Sequence, residues 1–288
     1  MVSPLRPINL WQTACRSVLS AFLAGMPLVN DGIGAPPPSA PTSDSTEGSE
    51  VNLENDKTSN RTRIRIENEF IDYTDGESRN TLTYSASYAV GFRERKEWQL
   101  TIDWPLVSYH AAPGSTLQSA TGMGDVVLTL NHAFESSKAV RWNIGMKAQL
   151  DTARKLGIGD GMYVLSPFAG FSWRFCPSAK LTASLQYNQS VATREGVNER
   201  QTFEFKPGME INLHGRWYGY VEYAPKWDFA NGTGVGAFNN FAGSSVKFEL
   251  GSAWGKDDRL VAALRYELPL TESSRRGTYV LGVTYRFK

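Results

Sequence analysis

The segment Arg275–Phe287 alternates between two faces almost without exception. One face is aromatic and aliphatic, and its members are Tyr279, Leu281, Val283, Tyr285 and Phe287. The other face carries Thr278, Val280, Gly282, Thr284 and Arg286, which are mostly small or charged. A period of two predicts a β-strand and excludes a helix. We expect the apolar face to contact lipid and the strand to close a transmembrane β-barrel.

Eleven further segments repeat this alternation from residue 61 onward. They are 61–73, 79–93, 97–107, 124–134, 139–151, 163–175, 180–190, 201–213, 216–229, 244–254 and 259–269. Each is at least 11 residues long, whereas strands of soluble proteins centre on about 5–6 residues. A tilted strand needs about 9–11 residues to cross a bilayer. The lengths therefore favour membrane-spanning strands over a soluble sandwich.

The connections between these segments alternate in length. Short links occur at 94–96, 135–138, 176–179, 214–215 and 255–258, and longer ones at 74–78, 108–123, 152–162, 191–200, 230–243 and 270–274. Outer-membrane barrels have short periplasmic turns and longer external loops. The fold that we predict is therefore all-β: a closed antiparallel up-and-down transmembrane β-barrel of about twelve strands.

The polar faces of these segments carry charges of both signs. We expect ten of the charged residues to line a water-filled lumen: Arg63, Arg65, Glu67, Glu69, Lys147, Glu204, Lys206, Glu222, Lys247 and Arg265. A dry core could not hold them, because each buried ion costs several kcal/mol. The same parity predicts that Leu264 faces lipid and that Val261 faces the wet lumen.

The N-terminal part of the chain has a different composition. Arg6 and Arg16 precede the apolar stretch Ser17–Val29, which is long enough for a signal peptide and too short to span a membrane. We predict a signal peptide over 1–40 with no clear cleavage site; the alternative is a disordered tail. Residues 41–60 are polar and aperiodic and predict a flexible leader, with a plug inside the pore as the alternative. The barrel then occupies 61–288.

Composition excludes several functions. The net charge is +1 with no cluster of basic residues, so nucleic-acid binding is not indicated. Cys15 would leave with the signal peptide and Cys176 would be alone, so no disulfide is expected. The sequence has no metal-ligand motif, and we predict neither metal nor cofactor.

Three histidines are present, and His132 is the candidate for a catalytic role. His132 falls on the apolar face of the fourth predicted strand, where an outer-membrane lipid hydrolase would place its active site. The simpler interpretation is an interfacial side chain. We predict no catalytic residue and no enzyme.

Two sequence blocks resemble a known family. One is Gly122-Met123-Gly124-Asp125 followed by VVLTLNHAF, and the other is Leu150–Trp173 with its Gly-rich loop. Both resemble the phenol-degradation meta-pathway (MetA-type) transporter-like family. This chain has Asp151-Thr152-Ala153 where the family has Pro-Thr-Gly after the leucine, and it ends in lysine where an aromatic terminus is commoner. The resemblance implies an outer-membrane barrel that passes small, often hydrophobic or aromatic, compounds. Taken alone, 122–125 predicts a turn that starts a strand, with ligand binding as the alternative.

The predicted function is passive passage of small solutes across the outer membrane of a Gram-negative bacterium, which the chain reaches by export through the periplasm; the resemblance implies that these solutes include hydrophobic or aromatic compounds. The expected partners are outer-membrane lipid, the barrel-assembly machinery and a small-molecule solute. The alternatives are a non-conducting structural or adhesive barrel and an outer-membrane lipid hydrolase.

Overall fold

The computed structural model describes residues 60–92, 95–115, 118–137, 139–155, 157–229, 241–255, 258–271 and 275–287, without the side chains of 92, 95 and 96. The predicted signal peptide and the leader up to residue 59 lie outside the described residues. Among the described residues, we find no helix with the length and apolarity needed to cross a membrane.

Antiparallel strands make up nearly all of the described chain. They are β1 Arg63–Tyr73, β2 Ser78–Phe92, β3 Arg95–His110, β4 Ala120–Met123, β5 Val127–Ser137, β6 Val140–Gln149, β7 Met162–Cys176, β8 Ala179–Thr193, β9 Gln201–Asn212, β10 Trp217–Asp228, β11 Phe241–Trp254, β12 Leu260–Pro269 and β13 Arg275–Arg286. Neighbouring strands pair in sequence order, and β1 pairs with both β2 and β13. The predicted closed antiparallel barrel is therefore confirmed.

The thirteen strands of the described part of the chain fill twelve positions in the barrel wall, because β4 and β5 both pair with β3. Leu106 lies opposite Met123 of β4, and Asp103 lies opposite Val127 of β5. Residues 124–126 thus face only the two residues between those pairs, which is a β-bulge. The sequence pattern predicts a loop over 108–123, whereas β4 occupies its last four residues. The strand predicted to begin at residue 124 begins only after the bulge, at Val127.

Prolines within strands coincide with interruptions in the ladders. Pro105 lies at the bulge, and its carbonyl accepts a hydrogen bond of 2.8 Å from the backbone N–H of Gly124. Pro207 and Pro225 lie where β9 and β10 are not paired with each other, between the pairs Gly208–Glu222 and Glu204–Lys226. Because proline has no backbone N–H to donate, an interruption of the ladder on one side suits these positions.

The outward face is apolar along the barrel wall. Leu281 is 56% exposed, as the lipid-facing side of a membrane strand would be. Aromatic contacts occur near both ends of the strands: the rings of Trp98 and His132 are 4.4 Å apart near the short turns, and those of Tyr266 and Tyr279 are 5.0 Å apart near the long loops. Outer-membrane barrels carry aromatic girdles at both membrane interfaces.

Inward-facing residues near the short turns are densely packed. Tyr218, Ala253 and Val261 form a cluster in which each is 0% exposed. Parity correctly predicts that Val261 is on the opposite face from Leu264, but the expectation that Val261 meets water is wrong. Tyr218 covers it, and the hydroxyl of Tyr218 donates a hydrogen bond of 3.1 Å to Glu249.

Candidate functional site: the barrel interior

All ten charged residues predicted to line a lumen lie on the face of the sheet opposite to the exposed apolar side chains. We call the end with the short connections the short-turn end and the other the long-loop end. The closing-strand residues Tyr279, Leu281, Val283, Tyr285 and Phe287 lie on the outer face, where each is exposed. Arg63 and Glu69 are partly buried on the inner face of β1.

Glu67 is the centre of a charged network that crosses the closure of the barrel. Its carboxylate lies 3.6 Å from the guanidinium of Arg65 and 3.4 Å from that of Arg265. Arg265 is on β12, so its side chain reaches over β13 to β1. Gly282 stands opposite Glu67 on β13, and because it has no side chain the two charges can meet above it.

A second network runs along β8 to β11. Glu222 accepts hydrogen bonds from Lys247 at 2.9 Å and from the Tyr220 hydroxyl at 2.8 Å. Glu204 pairs with Lys206, and the side-chain amide of Asn188 donates to it at 3.4 Å. In both networks each carboxylate lies against a cation, a guanidinium group at Glu67 and an ammonium group at Glu222 and Glu204, which keeps the charged groups in the barrel compensated.

Asp125 fastens the loop between β6 and β7, residues 150–161, to the bulge. Its carboxylate accepts hydrogen bonds from the backbone N–H groups of Thr152 at 3.1 Å, Ala153 at 3.0 Å and Asp160 at 2.7 Å. The side-chain amide of Gln149 adds a fourth bond at 3.2 Å. We call Asp125 together with the described residues of this loop, 150–155 and 157–161, the loop clamp. A carboxylate that accepts several backbone N–H bonds fixes a loop firmly, since charge-assisted hydrogen bonds are about twice as strong as neutral ones.

The loop clamp lies across the inner face of the barrel at the long-loop end. Ile158 and Ala153 pack on the inward-facing Val107 of β3. The guanidinium of Arg79, on β2, donates a bond of 3.2 Å to the carbonyl oxygen of Ile158. The loop begins after β6 and ends at β7, yet it contacts β2 and β3, which lie on the other side of β5. It therefore extends over the inner face of the wall and narrows the opening of the barrel at this end.

Two ion pairs hold the loop clamp to the next long loop. Arg200 lies 3.0 Å from Asp160, and Arg194 lies against Asp151 and the carbonyl of Ala153. Burial alone would raise the pKa of Asp160, but the Arg200 guanidinium and a hydrogen bond from Gln149 outweigh it and hold that pKa below its usual value.

Asp125 is a candidate functional residue whose position differs from the one predicted. We expected it to start a strand after a turn, but it precedes β5 and is 7% exposed. The Asp125 carboxylate also accounts for a glycine at position 159 in the Gly-rich segment 157–161. A Cβ atom at this position would lie 2.6 Å from the carboxylate, so a larger residue would not fit. The signal in the sequence was the presence of two Gly-rich segments, 122–125 and 157–161, in the connections that precede β5 and follow β6.

Directly beneath the loop clamp lies a cavity of about 320 Å³, which we call the polar cavity. Its lining residues are Asp103, Val127, Lys147, Gln149, Val164, Ser166, Gln186, Asn188, Arg200, Thr202, Glu204 and Lys226. Gln149 and Arg200 line this cavity and also bond to the loop clamp, Gln149 to Asp125 and Asp160 and Arg200 to Asp160, so the two features adjoin. Two of the ten predicted residues, Lys147 and Glu204, line it, and Lys206 is paired with Glu204.

His132 lies in an aromatic cluster on the outer wall. Its ring is 4.4 Å from that of Trp98 and 5.9 Å from that of Phe134. Its Nδ1 atom is buried without a hydrogen-bond partner, whereas a catalytic imidazole needs a nucleophile within hydrogen-bond reach. We assign no catalytic residue. In the part of the chain that the structure describes, His, Cys, Asp and Glu form no group suited to a metal ion.

Comparison with solved structures relates this chain to outer-membrane barrels. An outer-membrane channel from Pseudomonas putida F1 matches with a TM-score of 0.63 at 10% identity, over 85% of this chain and 100% of that one. The NanC porin matches with a TM-score of 0.53 at 8% identity, over 78% and 100%. The β-domain of the Bordetella autotransporter BrkA matches with a TM-score of 0.52 at 10% identity, over 79% and 98%.

Comparisons of sequence give no match. No protein-family model matches the chain, and no curated protein does. The resemblance carried by the two motifs therefore stays a hypothesis at the level of the family, whereas the fold is that of outer-membrane β-barrels.

Proposed function

We propose that this chain is an outer-membrane channel through which small solutes pass passively, with the short-turn end in the periplasm. The observation that carries the proposal is the barrel interior, where charged networks and a cavity of about 320 Å³ lie inside a wall that is apolar on its outer face. At the density of liquid water such a volume holds roughly ten molecules. An interior of this kind supports a hydrated path.

Fixed charges and amide groups give such a path its mechanism. They replace part of the hydration shell of a passing solute, so passage down a gradient needs no moving part. The networks around Glu67 and Glu222 carry both signs at close range, which favours weak selectivity over strict exclusion of one sign.

The size of the solute is limited by the loop clamp at one end and by packed side chains at the other. Hydrophobic or aromatic solutes are the class that the family resemblance implies, and Val127 and Val164 are the apolar groups that the polar cavity offers them. Most of the lining is polar, which favours solutes that can also form hydrogen bonds.

The partners follow from the proposed location. The apolar outer face, of which β13 is part, would contact outer-membrane lipid, and the barrel-assembly machinery would insert the folded chain.

A sealed barrel with a structural or adhesive role is the second candidate. The observation that favours it is the short-turn end, where inward-facing Tyr218, Val261 and Thr284 are each 0% exposed. If that packing persists in the membrane, the polar cavity would be a dead end.

Planar-bilayer recording of the refolded full-length chain separates the two candidates. Discrete current steps are expected for a channel, and liposome-swelling rates should fall steeply from arabinose to the larger raffinose. Absence of steps in a preparation shown to be folded by heat-modifiable gel migration would contradict the channel and favour the sealed barrel.

A further inference from the structure

We propose that the polar cavity is a binding subsite for small organic carboxylates, which names a solute class for the channel and rests on the proposed function in that respect. The distribution of charge among the inward-facing residues leads to this proposal. Most inward-facing cationic side chains are paired with a carboxylate. Examples are Arg65, Arg265, Lys206, Lys247 and Arg200.

Lys147 and Lys226 differ from these residues. Among the described residues, neither ammonium group lies within ion-pair distance of a carboxylate, and both line the polar cavity. The contact that Lys147 does make is with the ring of Phe168, whose centroid is 5.9 Å from its Nζ atom. Two cations that share one cavity without an ion-pair partner make it a place where an anion is stabilised.

The neighbouring groups suit the oxygens of a hydroxylated carboxylate. The Thr202 hydroxyl accepts a bond of 2.9 Å from Asn188, which leaves its own O–H free to donate. Ser166 stands opposite Lys147 on the adjacent strand and lines the same cavity. The side-chain oxygen of Gln186 is buried with no partner and can accept from a solute hydroxyl.

Two carboxylates also line the polar cavity and act against an anion. Glu204 is neutralised by Lys206. Asp103 has one buried oxygen with no hydrogen-bond partner, so it opposes one of the two lysines. Arg200 is paired with Asp160. One uncompensated positive charge is left, which is enough to prefer a monoanion and weak enough to release it, as passage requires.

The position of the polar cavity adds a second argument. It begins at Gln149 and Arg200, the residues that tie the loop clamp to the wall, so a solute admitted by the clamp meets the lysines next. A subsite at this point would raise the local concentration of the solute it prefers before the narrower short-turn end.

Binding is tested without reference to conduction. Saturation-transfer NMR on the refolded chain in neutral detergent micelles compares lactate with lactamide, which differ mainly in charge. We expect saturation transfer to lactate to exceed that to lactamide clearly, and the excess to vanish in the double variant Lys147→Gln/Lys226→Gln and to persist in Lys147→Arg/Lys226→Arg. Equal transfer to both compounds, or an excess of lactate that survives loss of both lysines, would overturn the proposal.

Ion selectivity gives the second arm. Reversal potentials in a KCl gradient should shift toward cations on the order of two- to tenfold in permeability ratio at low salt for Lys147→Gln, and toward anions for Asp103→Asn. Arg216→Gln, at the exposed turn of the short-turn end, is the matched loss of a cation outside the cavity and should shift the ratio less. Equal shifts for Lys147→Gln and Arg216→Gln would contradict a subsite.

The two experiments together separate the binding site from the channel. A barrel that does not conduct but still prefers lactate would refute the channel and leave the binding site in place, whereas a conducting barrel without that preference would refute the site alone.

Discussion

The carboxylate of Asp125 accepts a hydrogen bond of 2.7 Å from the backbone N–H of Asp160, thirty-five positions along the chain. This contact joins the bulge between β4 and β5 to the far end of the loop that follows β6. The bulge turns Asp125 inward from a wall that would otherwise continue as a regular strand, and the loop supplies N–H groups to satisfy its charge. The wall defect and the inward loop thus depend on each other.

Replacing Asp125 with alanine should release residues 150–161 from the wall and widen the long-loop end. The expected result is a larger single-channel conductance with more frequent current fluctuations, because the backbone N–H groups of Thr152, Ala153 and Asp160 lose their acceptor. Asp125→Asn keeps one acceptor oxygen and should show a smaller change. Asp75→Ala, at an exposed turn of the same end, is the control; a conductance of the Asp125→Ala variant that equals it would show that the clamp does not narrow the path.

Gly159→Ala tests the fit of the loop against Asp125 from the other side. An added Cβ would lie 2.6 Å from the carboxylate and close to Ala153, and overpacking of this kind costs about 1–3 kcal/mol. Gly219→Ala is the matched control, since its Cβ would approach no closer than 3.8 Å to Leu213. Urea titration in lipid vesicles measures both. Equal midpoints would mean that the loop adjusts freely and is not clamped.

The architecture was predictable because period-two alternation depends on side-chain facing alone. Every predicted spanning strand is present, and the observed bounds of β9 and β12 differ from the predicted ones by a single residue. Contact with lipid requires apolar side chains on the outer face, and in a strand such as β13 these appear directly as every second residue of the sequence. The same logic gave the inward position of charged residues such as Glu67 and Lys247.

The interior could not be predicted in the same way, because parity states which way a side chain points and not what it meets. Val261 points inward as expected but is covered by Tyr218. Arg265 reaches Glu67 across a glycine on the intervening strand, and strand order is needed to foresee that contact. Asp125 and Asp160 are far apart in sequence, so their hydrogen bond has no local signature.

Acid should loosen the loop clamp through Asp160. The depressed pKa of this carboxyl means that its contribution to holding the loop is complete above the ordinary value of 3.8 and is lost as pH falls through the lower value in the folded barrel. The charged groups that face it are Arg200, Arg79 and the carboxylate of Asp125. Conductance recorded while the long-loop side is acidified should rise below about pH 4.

Asp160→Asn should weaken that acid response and raise conductance already at neutral pH, because it cannot pair with Arg200. An unchanged acid response in this variant would assign the effect to another group. Recording with acid on the short-turn side alone provides the control for effects that begin elsewhere in the barrel.

Leu264→Arg tests whether the outer face meets lipid. Leu264 is 59% exposed on the outer face of β12, and an arginine at mid-bilayer depth costs roughly 2–4 kcal/mol. Lys226→Gln, which removes a charge at an exposed inward position, should change the free energy of unfolding by no more than about 0.5 kcal/mol.

Val261→Arg tests the packing at the short-turn end. It should also be costly, because it would bury a cation against Tyr218 where parity alone predicts a tolerant, hydrated site. Refolding titrations into vesicles measure all three variants; a mild Val261→Arg would show that the packing at the short-turn end opens to water in the membrane, and a mild Leu264→Arg would show that β12 does not face lipid there.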